Sequence, residues 1–254
     1  MPPRWHKRLG HRNTIDRMED LLPTDGTARS MRDMRDPEVT AQRKTMINQP
    51  HIAPLAAFAA RLRERGSVEV PDFDPLDGGI DARILFLLEK PGPMTAVKGK
   101  RVGSGFISRD NDDPTAAAIF EFMNQAGIPR KMSIIWNVIP WWNGTRKIGT
   151  PELKEGVDRV VELISLLPKL RAVVIVGAKA AAAKPFLSST EAKLFSSDHP
   201  GPMVRARWPH RWKAIPVEWA KVRKFTEVVD IEPAPSDGNE PRTSDGPRNL
   251  HQSD

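Results

Sequence analysis

Sixteen residues, SDHPGPMVRARWPHRW from Ser197 to Trp212, hold two histidines, three arginines, two tryptophans and three prolines. A turn as stiff as His-Pro-Gly-Pro presents His199 in a defined place, and the arginines that follow suit an anionic partner. Three other stretches carry unusual chemistry. LEKPGPM offers Glu89, Lys90 and a Pro91-Gly92-Pro93 turn. WNVIPWWNGTRKIG places Asn137 before a pair of tryptophans, and GAK carries Lys179. An imidazole, a carboxylate and an amide can exchange protons and hydrogen bonds with a polar substrate, provided the fold brings them together.

The elements that would do so are legible as apolar patterns. HIAPLAAFAARLRERG reads as a helix ending at Gly66. ARILFLL (82–88) is a short, continuous apolar run, as expected of a buried parallel strand. PTAAAIFEFMNQAG (114–127) has helical spacing, with Gly127 as its stop. SIIWNVI (133–139) reads as a second strand. Thr150-Pro151-Glu152 reads as a helix start, a capping hydroxyl followed by proline and an acid, with the helix running to about Leu167. AVVIVG (172–177) reads as a third strand, AKAAAAKPFL as a helix, KLFSS (193–197) as a fourth strand and VEWAKVRKFTEVV as a closing helix. The alternation predicts a three-layer α/β/α sandwich around a mainly parallel four-stranded sheet. All four unusual loops then follow strands, at the carboxyl edge where open parallel sheets bind ligands.

The flanks differ. Residues 1–48 are polar with mixed charge, and 230–254 are rich in Pro, Ser, Gly and Asp; both read as disordered, leaving a folded domain over 49–229. The chain is basic, with net charge +7 and no cysteine, so disulfide, thiolate and cysteine–metal chemistry are excluded. No apolar run reaches the roughly 18 residues of a membrane span. A cytoplasmic, nucleoid-associated location and no membrane partner are expected.

LLEKPGPM and SDHPGPM, each after a strand, resemble the two signature motifs of the uracil-DNA glycosylase superfamily. The block from Trp136 to Ala182 resembles the strand–loop–helix–strand unit between them. The resemblance covers about 47–222 and is nearest to cysteine-free bacterial members that lack an iron–sulfur cluster. The pattern begins near Met46, so residues 1–45 read as a dispensable extension or a product of start-codon choice. Three positions depart from the superfamily: Leu88 for a glycine, Lys90 for an Asp or Asn, and Gly201 for a serine.

The resemblance implies a monofunctional, base-flipping glycosylase that hydrolyses the N-glycosidic bond of uracil, or a related deaminated base, in DNA as part of base-excision repair. It implies no cofactor and no metal, and the chain is expected to act as a monomer on DNA. His199 would donate to uracil O2 as charge builds there, and Asn137 would read N3–H and O4. Phe106 would stack on the flipped base, with Pro91 and Gly92 shaping the water-holding turn. Glu89 would orient water or stabilise the sugar cation, with Asp110, Asp112 and Asp113 as rivals. Met203 would fill the gap in the stack. Gly201, Pro202, Arg205, Arg207, Arg211 and Lys179 would contact the backbone, the N–H of Gly201 standing in for the serine hydroxyl. Lys90 would hold a phosphate or pair with Glu89.

Each role has a plain structural alternative: a histidine satisfied by backbone, a structural asparagine, a core phenylalanine, acids that cap a helix, and a solvated basic loop whose Trp208 and Trp212 pack on the domain. Trp141 and Trp142 fit either pocket support or burial against the sheet. Two other functions compete. One is a nucleic-acid-binding member of the same fold that has lost catalysis. The other is an unrelated nucleotide enzyme, weakened by the lack of a Gly-rich phosphate loop.

Overall fold

The computed structural model describes residues 31–64, 66, 68–97, 102–188 and 190–227. Four strands form a fully parallel sheet in the order β4-β2-β5-β6: β2 (Ile84–Leu88), β4 (Ser133–Asn137), β5 (Ala172–Val176) and β6 (Lys193–Ser197). Registers run Leu88 to Asn137, Leu87 to Ile175 and Val176 to Ser197, so the strands end nearly level. The two inner strands are apolar along their whole length, and β4 is buried throughout with polar residues only at its ends, Ser133 and Asn137, because both faces are covered. The outermost strand, β6, is only half buried, which explains its weaker pattern.

The strand order reverses after β4, and right-handed crossovers then put successive helices on opposite faces. The helix between β2 and β4, α3 (Pro114–Gln125), lies on one face with α6 (Pro209–Ala220). On the other, α4 (Thr150–Ser165) lies with the 3-10 segment Ala180–Leu187. This is the expected sandwich. Within α4, a Cβ on Gly156 would come 2.5 Å from the Val138 carbonyl, so only glycine allows the helix to sit this close to the end of β4. The cap of α4 is Gly149; Thr150, expected to cap, is already the first helical residue.

A second, two-stranded sheet joins β1 (Asp72–Phe73) to β3 (Phe106–Ile107). Phe73 stacks on Trp136 with ring centroids 3.7 Å apart, which docks the small sheet against β4. Phe58 of α2 (Ala53–Arg63) completes this aromatic cluster.

Two expectations need correction. The ordered unit starts well before residue 49: Asp36 caps α1 (Pro37–Thr45), and buried Arg43 ties that helix to the domain. The stretch after His199 is also not a loop. It forms α5 (Pro202–Arg207) and then runs into α6, so Pro202 and Pro209 each sit in a first turn that needs no N–H. The expected extensions over 1–30 and 230–254 lie outside the described residues.

Candidate active site at the carboxyl edge of the sheet

The reversal of strand order opens a crevice between the ends of β2 and β5. Glu89 leaves β2 on one side, and Gly177 and Lys179 leave β5 on the other. Lys179 Nζ bridges the crevice to Glu89 Oε1 at 2.6 Å. Next to β5, the chain leaves β6 toward His199. Gly177 has φ +91°, and a Cβ there would lie 3.1 Å from His199 Cβ, so the glycine lets the β5 turn back directly onto the histidine.

His199 is held from several directions. Gly201 N–H donates to its Nδ1 at 3.0 Å. From α6, Trp219 Nε1 donates to Ser197 Oγ at 2.8 Å, Arg211 pairs with Asp198, and Trp212 Nε1 donates to the Pro200 carbonyl at 2.7 Å. Burial pulls the imidazole pKa below its ordinary 6.5; Glu89 opposes this, and Arg146 adds to it. A neutral ring whose Nδ1 accepts a hydrogen bond must carry its proton on Nε2. His199 therefore presents an N–H donor.

The sequence suggests that Gly201 offers its own N–H to a phosphate, but that N–H is spent on His199. The departure from serine has a steric reason as well. A Cβ on Gly201 would fall 2.7 Å from Nδ1, so a serine could not occupy this position without moving the ring.

Asn137 ends β4 and is buried. Its Oδ1 is enclosed and has no hydrogen-bond partner among the described residues. A buried acceptor left unpaired costs roughly 1–3 kcal/mol, so Oδ1 calls for a donor from outside the described residues, which can reach it only when its enclosure opens. The ladder continues past it, with Val138 N–H donating to Leu88 O and Ile139 N–H to Glu89 O. Asn137 and Glu89 thus leave neighbouring strands at nearly the same height.

Lys90 neither pairs with Glu89 nor reaches the surface. Its side chain is 2% exposed, and its ammonium donates to Glu152 Oε1 at 2.7 Å and Asn143 Oδ1 at 2.8 Å. Trp141 Nε1 and Asn143 Nδ2 converge on the same Glu152 oxygen at 2.9 and 3.0 Å. The network locks the loop after β2 to the loop after β4 and to the first turn of α4. Trp141 is thus a support of the site; Trp142 pairs its backbone with Glu69.

The remaining expected residues separate clearly. Arg146 lies over Gly92, within 3.0 Å of where a Cβ would stand, so the Pro91-Gly92 turn faces a guanidinium. Phe106 is 0% exposed in β3, and a base could stack on it only after a neighbour moved. Of the three acids, Asp113 caps α3 through Thr115 N–H and Ala116 N–H, Asp110 is buried between Arg43 and Arg130, and Asp112 pairs with Arg35. They serve structure. Met203 is 77% exposed in the first turn of α5. Arg205 covers the Trp212 ring at 4.9 Å and Arg207 the Trp208 ring at 4.8 Å, both on the exposed side of that helix. Arg211, bound to Asp198, positions the histidine turn. Arg146 itself does not stand out in the sequence; a lone arginine in a polar loop gives no sign that it folds back over a turn 54 residues earlier.

No helix among the described residues is long and apolar enough to cross a membrane. No protein-family profile and no curated protein matches the chain. Among solved structures, the chain is similar to a mimivirus uracil-DNA glycosylase variant in complex with UGI. The identity is 14% and the TM-score 0.36, with 66% of this chain and 70% of that one covered. A similarity at this level does not by itself assign an activity.

Proposed function

We propose that the protein is a monofunctional DNA glycosylase that hydrolyses the N-glycosidic bond of uracil, or of a related deaminated base, in DNA. One observation carries the reading: a histidine restricted to donating from Nε2 and an asparagine with an unpaired, buried Oδ1 stand at the carboxyl ends of the two outer strands, β6 and β4, with the Glu89 carboxylate just past the end of β2, one of the two strands between them.

That set suits a leaving pyrimidine. As C1′–N1 breaks, the bonding electrons move onto the base and negative charge reaches O2. A neutral donor already aimed at that oxygen stabilises the transition state without reorganising. Asn137 Oδ1 accepts from N3–H of uracil and would meet a lone pair in cytosine, which leaves both groups unpaired and rejects the wrong base. Water forms the new bond to C1′, and the proton it gives up ends on the departing base anion, so the products are the sugar hydroxyl and the neutral base; Glu89 orients the water or faces the cationic sugar. The base must first leave the stack, which costs a few kcal/mol. Met203 is free to enter the gap, and Arg205 and Arg207 face backbone phosphates.

Single- and double-stranded oligonucleotides with one uracil, hypoxanthine or xanthine, treated with alkali after incubation, test the reading. Cleavage of at least one substrate is expected, with Asn137→Ala and His199→Ala each slower by roughly 10²-fold or more. Cleavage no greater than a heat-killed control across the whole panel overturns it. Retained DNA binding with no cleavage would favour the non-catalytic alternative, for which the Lys179–Glu89 ion pair, occupying the best-placed acid, is the supporting feature.

A further inference from the structure

Beside the crevice lies a second concavity of about 720 Å³. It is walled by the loop after β4 (Arg146, Lys147, Ile148), the first turn of α4 (Leu153) and the segment after β5 (Lys179, Ala182). Neither Asn137 nor His199 lines it. Its charged lining is three cations and no acid. Lys179 is engaged by Glu89, but Arg146 and Lys147 have no carboxylate partner among the described residues. The rest of its lining is Thr145 and the aliphatic Ile148, Leu153 and Ala182.

This wall is built, not incidental. The Lys147 carbonyl accepts from buried Lys90 at 3.4 Å, and Lys147 N–H donates to Thr145 Oγ1 at 3.2 Å. Thr145 N–H donates to Asn143 Oδ1, itself part of the Glu152 network. Two uncompensated cations are therefore carried on an anchored turn. Arg146 also lies over Gly92, and Lys179 pairs with Glu89, so the concavity shares residues with the border of the site already described.

We propose that this concavity is a nucleotide subsite for single-stranded nucleic acid: it holds the backbone phosphate of a nucleotide flanking the target between Arg146 and Lys147, with that nucleotide's base against Ile148 and Leu153. The volume falls in the range of sites that enclose a small organic group. The combination of cations with an apolar wall selects an unstacked nucleotide, because a duplex would present phosphates alone. The subsite rests on the nucleic-acid reading above but not on catalysis.

The test is binding of a labelled, uracil-free oligothymidylate by the full chain, measured by fluorescence anisotropy over a salt series. Arg146→Ala/Lys147→Ala is expected to weaken binding about tenfold and to flatten the salt dependence by about 0.7 in log–log slope for each phosphate no longer neutralised. Ile148→Ala should weaken it with the slope unchanged. A blunt duplex of the same length should lose less than about threefold in the double variant. Circular dichroism and melting confirm the variants fold. Unchanged affinity and slope, or equal losses on duplex and single strand, each overturn the subsite. Because the probe lacks uracil, an absence of cleavage leaves this result readable, and a cleaving enzyme with normal binding in the double variant sinks the subsite alone.

Discussion

At the scale of single residues, the site turns on where one proton sits. Gly201 N–H fills His199 Nδ1, burial favours the neutral ring, and the proton remains on Nε2. Because the folded pKa is depressed, the neutral ring contributes stability above pH 6.5, and that contribution is lost as pH falls through the lower folded value. The proposed glycosylase activity should therefore be level above pH 6.5 and decline only on the acid side of the depressed pKa. An NMR titration of the His199 ring should give a midpoint below 6.5, displaced further down in Glu89→Gln, since Glu89 is the carboxylate that most favours the charged ring. A midpoint at or above 6.5, or an upward displacement in that variant, would show that burial does not control the group. The histidine itself stands out in the sequence because proline and glycine enclose it. Its hydrogen-bond partner does not, since nothing in HPGP tells which way the ring turns.

At the scale of elements, the four strands are readable because both faces of a parallel sheet are covered, which writes continuous apolar runs into the chain. The short helix α5 is not. Its six residues lie between Gly201 and Trp208, too few to establish a period. Nor is the role of Lys90, whose partner Glu152 stands 62 residues away. That pair holds the loops after β2 and β4 in a fixed relation, so its loss should be felt in both stability and site geometry. Removing one member of a buried ion pair costs roughly 3–5 kcal/mol. Lys90→Met should fall near the lower bound, because Glu152 keeps Trp141 and Asn143 as donors. Urea unfolding of Lys90→Met, Glu152→Gln and the double variant closes a thermodynamic cycle. The double variant is expected to lose less than the sum of the singles by more than about 1 kcal/mol. Additive losses would mean that the two side chains stand together without depending on each other.

At the scale of the molecule, the N-terminal helix α1 belongs to the folded unit for an electrostatic reason that periodicity cannot reveal. PEVTAQRKT carries little apolar surface, but Arg43, 4% exposed, donates to Asp74 at 2.6 Å and Asp110 at 2.5 Å, partners 31 and 67 residues further along the chain. Arg130 joins both of these acids and Asp77, and Arg109 faces Asp77 at 3.3 Å. Three acids are thus balanced by three arginines. Burial works against the Asp74 carboxylate, but Arg130, Arg43 and the Ser108 hydroxyl outweigh it and hold the group down to about 2. At Asp77 burial wins and pushes the carboxyl up to about 6. Its Oδ1 lies within ion-pair distance of both Arg109 and Arg130, and neither carboxylate oxygen has a hydrogen-bond partner among the described residues. Deleting residues 1–48, or making Arg43→Ala, leaves three buried acids with two arginines. Either change should cost about 3–5 kcal/mol, or a melting temperature lower by roughly 10 °C in a domain of this size. The loss should shrink as pH falls from about 7 toward about 5, because Asp77, already near titration, takes up a proton and restores the balance. Thermal melts of both proteins at these two pH values measure this. A truncated chain that melts with the full one at neutral pH would show that α1 rests on the domain without holding it, as a dispensable extension would.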